Sequence, residues 1–347
     1  MKQKSARTND QRKADRMASK LEEELRSGDY FEPCKMTWKE FRELFDELRL
    51  PNLRPATGVC YDSTFNRLEE LVNPFRLIQV NSILIARFQN KLRKIGNADT
   101  TIHKHLRHLK AALRWAKSME FIPKVPDFQM PKAGKHQRMM KGRPITAEEF
   151  QLMLDATEEI VGEESAASWR FLLEGLWWSG LRVSEAMALT WHESEKLFLD
   201  FDSNKYPMFR ISGSAEKGGK DRLLPMAPEF AKFVEPFKCA EGFVFSPGRV
   251  LNGRKKNYQR NAEWVSIVAS RIGQRADIVV SKNTSKKKYA SCHDLRRSFG
   301  ERWSKKVMPQ TLMKLMRHES IDTTLRFYVS SESEKMAEEL WSLASPN

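Results

Sequence analysis

The stretch PKAGKHQRMMKGRPITAEEF, residues 131–150, decides how the chain is organised. Its first part is basic, lacks acidic residues and contains no large apolar residue except two methionines, which predicts an exposed linker over residues 132–143. Its second part begins a helix, because Thr146 followed by Glu149 has the spacing of a capping box. Two lobes joined by a basic linker are therefore expected, with the second over residues 144–347. The candidate DNA contacts in this stretch are Lys135, Arg138, Lys141 and Arg143.

Upstream of the linker, apolar residues recur at helical spacing in four segments, residues 37–48, 63–71, 81–92 and 100–119, with Thr37 as the expected N-cap of the first. They predict a small four-helix domain over residues 34–131. The fourth segment has basic residues around an apolar stripe, and both a solvated face and a DNA-contacting face fit that pattern. Its candidate DNA contacts are Lys104, Arg107 and Arg114. Residues 1–33 mix charges of both signs and predict a charged N-terminal arm or frayed helix.

The second lobe is expected to be helical with one small antiparallel sheet, formed by apolar runs at residues 197–201, 208–211 and 222–226. Residues 213–221, rich in Gly and Lys, predict an exposed turn between the last two strands. Two further basic clusters, at residues 254–260 and 282–288, are interpreted as loops that contact the DNA backbone, with a solvated charge run as the alternative. The candidate DNA contacts in these turns are Lys220, Lys286 and Lys287. The fold class is thus mainly α with two domains, an N-terminal helical domain and an α+β domain.

Length and charge agree with this organisation. A chain of 347 residues with 40% hydrophobic residues supports two compact domains, and a net charge of +15 favours a polyanionic partner over a merely soluble basic protein. The four cysteines are irregularly spaced, which predicts neither a disulfide framework nor a zinc site and fits a reducing cytoplasm. No apolar stretch has the length of a membrane span, so no membrane partner is expected.

Four short motifs follow one another in the second lobe: GLRVSE at residues 180–185, EKGGKDR at 216–222, HDLR at 293–296, and LMRH at 315–318 followed by Tyr328. In this order they resemble the phage integrase or tyrosine recombinase family. The resemblance covers the second lobe from about Ile145 and, more loosely, the four-helix segment, which looks like the family's SAM-like core-binding domain. It implies a DNA breaking-rejoining fold and a site-specific recombinase that acts on double-stranded DNA.

The motifs contain the residue types that strand cleavage needs. Displacement at a phosphodiester accumulates negative charge, and the planar fork of an arginine offers two parallel hydrogen bonds to phosphate oxygens. By resemblance, Arg182 and Arg296 are the two clamp arginines. His293, one helical turn before Arg296, could shuttle the nucleophile's proton, and His318 could donate a hydrogen bond to the phosphate. Glu185, three residues after Arg182, is expected to buttress that arginine.

A lysine and a tyrosine complete the set that the resemblance implies. Lys217 matches the hairpin lysine that protonates the departing 5′ oxygen, with Lys220 in the same turn as a rival. The family's nucleophilic tyrosine follows the second histidine by nine residues, whereas here Phe327 has that place and Tyr328 follows by ten. Two explanations stay open: a one-residue adjustment before the tyrosine, or a relative that has lost cleavage. Tyr328 is the predicted nucleophile.

The implied reaction proceeds through a 3′-phosphotyrosine, which conserves the energy of the phosphodiester, so neither ATP nor a metal cofactor is expected. By resemblance, four identical subunits would synapse two duplexes, with a monomer when free of DNA. Residues 331–343 predict a last amphipathic helix that docks on its own subunit or on a neighbour. Two other functions remain open: a DNA-binding relative without cleavage, and DNA relaxation of the type IB topoisomerase kind.

Overall fold

The computed structural model describes residues 8–26, 35–131, 142–192, 197–212, 221–248, 261–283 and 286–329, with side chains left out at 24–25, 282–286 and 326–329. The chain divides into two compact units, Met1–Gln137 and Arg138–Asn347. Within the described parts, none of the helices combines the length and apolar character that a membrane crossing needs.

The described part of the first unit is helical. Its helices are α1 Gln11–Arg26, α2 Trp38–Leu48, α3 Pro55–Val72, α4 Ser82–Lys94 and α5 Asp99–Ser118. Thr37 caps α2 in a capping box with Glu40, as its position predicts. Helix α3 starts eight residues before the predicted segment, because Pro55 occupies the first helical position, where its missing N–H costs no hydrogen bond.

The core of the first unit is aromatic. Phe41, Phe45 and Phe65 are fully or almost fully buried, and the rings of Phe45 and Phe65 meet edge to face with centroids 5.3 Å apart. Helix α5 contributes Leu106, Leu109 and Leu113, the apolar stripe predicted for it. This core fixes α5 so that the opposite side of the helix faces solvent.

The second unit is built from nine described helices, several of them short, and two sheets. The helices are α6 Ala147–Asp155, α7 Thr157–Val161, α8 Glu163–Ser179, α9 Val183–Ala186, α10 Pro228–Val234, α11 Ala262–Arg275, α12 Cys292–Ser304, α13 Pro309–Leu315 and α14 Ile321–Val329. Helix α8 runs through the core, with Trp169, Leu172 and Leu176 inaccessible to solvent. Thr146 and Glu149 form the predicted capping box at the start of α6.

The larger sheet has four strands in the order β1 Leu189–Thr190, β2 Leu197–Asp200, β3 Met208–Ile211 and β4 Arg222–Pro225. The last three pair antiparallel, as predicted, with Leu197 opposite Ile211 and Ile211 opposite Arg222. Strand β1 was not predicted, and it adds a parallel pair next to β2.

A second sheet corrects the interpretation of residues 282–288 as a loop. Strands β5 Val279–Asn283 and β6 Lys286–Tyr289 form an antiparallel hairpin. The lysine-rich sequence of β6 does not indicate a strand, because backbone pairing here depends on hydrogen bonds and not on alternating apolar side chains.

The start of the second unit is joined to helix α12. The Ser298 hydroxyl donates to the carbonyl of Ile145 at 3.0 Å and accepts from its N–H at 2.8 Å. Gly142 lies close to the same helix and to strand β6: an added Cβ would come within 2.9 Å of side-chain atoms of Asp294 and Arg297 on α12 and of Lys288 on β6. The C-terminal end of the basic linker is therefore fixed against the helix that carries His293 and Arg296.

Candidate active site

Helix α8 ends in a tight turn that sets the position of Arg182. Gly180 adopts a left-handed conformation with φ of 60°, and a Cβ there would come within 2.8 Å of three atoms of the Phe299 ring. Two residues later, Arg182 precedes helix α9 and donates its backbone N–H to Glu185 at 2.7 Å. Glycine is thus required for the turn from which Arg182 emerges.

The Arg182 guanidinium is held at two points and still reaches solvent. Its Nη1 donates to Glu185 at 2.8 Å, the ion pair expected from the sequence, and its Nη2 donates to the carbonyl of Arg317 at 3.1 Å. The side chain is 45% exposed. An anion can therefore approach a guanidinium whose orientation is already fixed.

Arg296 reaches the same place from helix α12 but is buried, with 3% of its surface exposed. Its Nη1 donates to the carbonyl of Gly180 and its Nη2 to the carbonyl of Met316. Burial, with the nearby charges of Arg317 and Arg182, lowers its pKa to about 9. Of the two arginines predicted to form a clamp, Arg182 is the one more open to an approaching anion.

Arg317 is a third arginine at this site, and the sequence analysis assigned it no role. Its Nη2 lies 3.0 Å from Glu185 and donates to the carbonyl of Gly180 at 3.0 Å, while its Nη1 donates to Leu315 at 3.1 Å. Its place in the LMRH motif, beside His318, was the available signal. Gly180 thus accepts hydrogen bonds from two arginines.

Glu185 is the carboxylate among these three guanidinium groups. Burial opposes its ionisation, but Arg317, the Arg182 N–H and the other two arginine charges outweigh burial and lower its pKa. Three positive charges and one negative charge leave a local charge of two positive. Such a site suits a phosphodiester whose transition state gains negative charge.

Two histidines border the arginines. The Nδ1 of His318 forms a hydrogen bond of 2.8 Å with the Thr324 hydroxyl, and burial together with Arg296, Arg182 and Arg317 lowers its pKa to about 4. His293 is exposed on one side, and partial burial with the charges of Arg297 and Arg296 lowers its pKa to about 4 as well. Both rings are therefore neutral near pH 7. A neutral imidazole can accept a proton, so the predicted role of His293 in shuttling the nucleophile's proton stays a prediction.

The predicted nucleophile lies in helix α14, which is attached to the site through Thr324. Tyr328 follows Thr324 by four residues, and Phe327 follows by three. Around the helix axis, position 328 is therefore rotated by about 40° from Thr324 and position 327 by about 60°. The helix backbone thus gives position 328 an orientation closer to that of Thr324, and the Tyr328 side chain lies outside the described residues. Lys217 and Lys220 lie outside them too.

The predicted DNA contacts are distributed over both units. Lys104, Arg107 and Arg114 are exposed on α5, Arg143 is exposed and paired with Glu149 at 2.7 Å, and Lys287 is exposed on β6. The predicted DNA contacts that lie outside the described residues are Lys135, Arg138, Lys141, Lys220 and the side chain of Lys286.

Two members of the basic run on α5 belong to the core of the first unit. His105 is buried with its Nδ1 3.1 Å from the Thr64 hydroxyl, and His108 packs edge to face on Tyr61 with ring centroids 5.1 Å apart. Burial lowers the pKa of both rings. The exposed basic face of α5 is therefore narrower than the sequence indicated.

Within the described residues, no three or more histidine, cysteine, aspartate or glutamate side chains lie together in a way that could hold a metal ion.

Comparison with family models gives two matches. Residues 143–335 match the model described as the phage integrase family, and residues 39–130 match the phage integrase SAM-like domain. The first match alone spans more than half of the chain.

Individual proteins agree with these matches. The tyrosine recombinase XerC of Chlamydia caviae is 25% identical over 303 residues, covering 83% of this chain and 85% of XerC. A Tn1549 transposon integrase in complex with transposon right end DNA has a TM-score of 0.59 at 20% identity, covering 88% of this chain and 98% of that one. A lambda integrase tetramer bound to a Holliday junction has a TM-score of 0.56 at 16% identity, covering 92% and 87%.

Proposed function

The chain belongs to the phage integrase family, the tyrosine recombinases that break and rejoin DNA, and from this membership we propose a specific reaction for it. It cleaves one strand of a duplex at a defined site and joins the end to a partner strand. The observation that carries the proposal is the set of three arginines around Glu185, with a local charge of two positive and Arg182 open to solvent.

In the proposed reaction the scissile phosphate binds at Arg182, with Arg296 behind it and His318 donating a hydrogen bond. The Tyr328 hydroxyl loses its proton to His293 and attacks the phosphorus, forming a phosphotyrosine on the 3′ side. The bond to the 5′ oxygen breaks, and Lys217 protonates that oxygen. Attack by the 5′ hydroxyl of a partner strand reverses these steps and releases the tyrosine.

A phosphate in the site also supplies what His293 needs to act as a base. Its low pKa in the free protein reflects burial and neighbouring arginine charges, and a bound phosphate anion offsets those charges. Because the phosphotyrosine keeps the energy of the phosphodiester, rejoining needs no ATP, and fixed guanidinium groups meet the charge that a metal cofactor would otherwise neutralise.

Tyr328 is proposed as the nucleophile in preference to a chain that has lost cleavage. Helix α14 supports this choice, because position 328 lies one turn beyond Thr324, whose hydroxyl binds His318. The shift of one residue relative to the family spacing then moves the tyrosine towards the direction of Thr324.

Double-stranded DNA is the proposed partner. The exposed Lys104, Arg107 and Arg114 on α5 and Lys287 on β6 are proposed to contact its phosphates. A tetramer on synapsed DNA, formed from monomers, is proposed from the lambda integrase tetramer bound to a Holliday junction. The domains are proposed to be the arm 1–33, the core-binding domain 34–131, the linker 132–143 and the catalytic domain 144–347, and the location is proposed to be cytoplasmic.

Covalent trapping tests the proposal. The full chain is incubated with a randomised library of nicked duplexes, in which the cleaved end diffuses away, and the adduct is isolated under denaturing conditions and mapped by mass spectrometry. We expect an adduct on Tyr328 that is lost in Tyr328→Phe and much reduced in Arg182→Ala. Tyr206→Phe is the control and should keep the adduct, because Tyr206 is another exposed tyrosine, with 62% of its surface accessible.

Each other outcome contradicts a defined part of the proposal. An adduct on a different residue removes Tyr328 as the nucleophile. Duplex binding without any adduct across the library indicates a DNA-binding protein that does not cleave. Relaxation of supercoiled plasmid without joining of two duplexes indicates a topoisomerase.

A further inference from the structure

Helix α13 ends in a hydrogen-bond pattern that glycine usually serves. The Arg317 N–H donates to the carbonyl of Lys314 at 3.0 Å, and the His318 N–H donates to the carbonyl of Met313 at 3.0 Å. These two bonds form a Schellman motif, whose left-handed position is most often glycine. Arg317 occupies that position with φ of 49°. An L residue with a side chain is strained there.

The side chain gives a reason for the strain. Two other residues, Glu120 and Asp277, end helices in the same pattern with φ of 60° and 50°, and both are exposed. The side chain of Arg317, in contrast, is 9% exposed and contacts Glu185, Gly180 and Leu315. Backbone strain that is retained together with a nearly buried side chain that makes several polar contacts is typical of a residue with a functional task.

Three consecutive carbonyls at the end of α13 show what this task is. The Leu315 carbonyl accepts from Arg317, the Met316 carbonyl from Arg296, and the Arg317 carbonyl from Arg182. The left-handed conformation of Arg317 turns the backbone at the residue whose own carbonyl accepts the hydrogen bond from Arg182. The Arg317 guanidinium also binds the Gly180 carbonyl and Glu185, the two groups that orient Arg296 and Arg182.

We propose that Arg317 is a positioning residue, which holds Glu185 and the Gly180 carbonyl so that Arg182 and Arg296 are in place before DNA arrives. This inference deepens the proposed function and rests on it. Arg317 acts through its neighbours, because its nearly buried guanidinium is engaged by carbonyls and a carboxylate and not turned to solvent.

The test compares Arg317→Gly with Arg317→Lys in the full chain, on duplexes that the wild-type chain cleaves. Glycine relieves the backbone strain but also removes the polar contacts of the side chain, so thermal unfolding of Arg317→Gly is measured first to establish that it is folded. We expect its cleavage rate at saturating DNA to fall by about 10- to 100-fold with DNA affinity changed less than about threefold. Arg317→Lys keeps the charge but not the fork, and should recover part of the rate.

Asp277→Gly is the matched control, because it relieves the same strain at the end of α11, away from the arginines. It should cleave at the wild-type rate. A wild-type rate in Arg317→Gly overturns the inference. If Arg317→Gly does not fold, a wild-type rate in Arg317→Lys overturns it, and a reduced rate supports it.

A measurement without DNA separates this inference from the proposed function. Arg317 is one of the charges that lower the pKa of His318, so the NMR titration midpoint of His318 should rise in Arg317→Gly and stay in place in Asp277→Gly. An unchanged midpoint overturns the inference even if the wild type cleaves. If the wild type forms no adduct, the proposed function fails, and a midpoint that shifts in Arg317→Lys as well, although that variant keeps the charge, still supports Arg317 as a residue that positions the cluster.

Discussion

At the scale of single residues, the site keeps three like charges together by giving each guanidinium a backbone carbonyl. Arg182, Arg296 and Arg317 donate to successive carbonyls at the end of α13, and Glu185 offsets part of their charge. The remaining repulsion is visible in Arg296, whose pKa falls to about 9 through burial and the charges of Arg317 and Arg182. A bound phosphate would relieve this repulsion, which is the electrostatic basis of a preorganised anion site.

His318 should make the stability of the protein depend on pH. Its pKa is about 4 in the folded protein against an ordinary value of 6.5, so between these values the unfolded chain binds a proton that the folded chain does not. The His318 ring therefore does not affect the free energy of unfolding above about pH 6.5. It lowers that free energy as the pH falls towards 4, and lowers it no further below pH 4. When the pH is lowered from 7 to 4.5, the free energy of unfolding of His318→Gln should fall by about 1–2 kcal/mol less than that of the wild type, as measured by urea unfolding. Identical losses in the two proteins would contradict the prediction.

The sequence motifs were sufficient to name Arg182, Arg296, His293 and His318, which the structure brings together, and to predict the Arg182–Glu185 pair. They did not indicate Arg317. The contacts of its side chain with Gly180 and Glu185 join segments more than 130 residues apart, and the local sequence does not report them. The sequence also did not predict the low pKa of His293, because that pKa depends on burial and on the charge of Arg297.

At the scale of elements, the site depends on where helices α8, α12 and α13 end or begin. Gly180 and Arg317 terminate α8 and α13 in left-handed conformations, and the Arg296 side chain of α12 spans the carbonyls of Gly180 and Met316. Helix ends carry carbonyls without partners in the helix, so two such ends can bind several cations. Helix α12 is positioned in turn by Ser298.

Ser298→Ala should weaken the connection between α12 and the start of the second unit. The substitution leaves the N–H of Ile145 buried without its partner, and we expect a loss of about 1–3 kcal/mol in the free energy of unfolding. Ser304→Ala is the control, since that hydroxyl bonds only to Glu301 within the same helix, and should have a small effect. Denaturant unfolding followed by circular dichroism measures both, and equal effects would contradict the assigned role of Ser298.

The sequence predicted the two helix starts that have a capping box, but it missed the start of α3 by eight residues and did not indicate the charged strand β6. Thr37 and Thr146 mark their helices because capping is local chemistry within four residues. Strand β6, with three consecutive lysines, forms because β5 lies beside it. Whether such a segment forms a strand depends on its pairing partner and not on the periodicity of its own side chains.

At the scale of the whole molecule, exposed basic residues are found in both units of a chain whose net charge is +15. The first unit has an aromatic core and an exposed row of Lys104, Arg107 and Arg114 on α5, whereas the second contains the arginine cluster. Contacts to phosphate give affinity without sequence preference and weaken with salt, so the row on α5 should act on binding and the cluster on chemistry.

Replacing Lys104, Arg107 and Arg114 together with alanine should lower DNA affinity and its dependence on salt. Each lost phosphate contact removes about 0.9 from the slope of log affinity against log salt concentration. Lys39→Ala is the control, because that lysine is 86% exposed on another helix and pairs with Glu43. Fluorescence anisotropy over a range of salt concentrations measures the slopes, and a triple variant with the wild-type slope would rule out these contacts.

The contact of Gly142 with helix α12 has a consequence for avidity. When two modules bind one polymer, their joint affinity depends on the effective concentration that the tether imposes, and this reaches the millimolar range for short connections. Doubling a flexible tether costs only about 0.6 kcal/mol of closure entropy. A Cβ at position 142 would come within 2.9 Å of the side-chain ends of Asp294, Arg297 and Lys288, which would have to shift to admit it. A substitution at position 142 therefore tests how far the anchor of the connection, apart from its length, controls avidity.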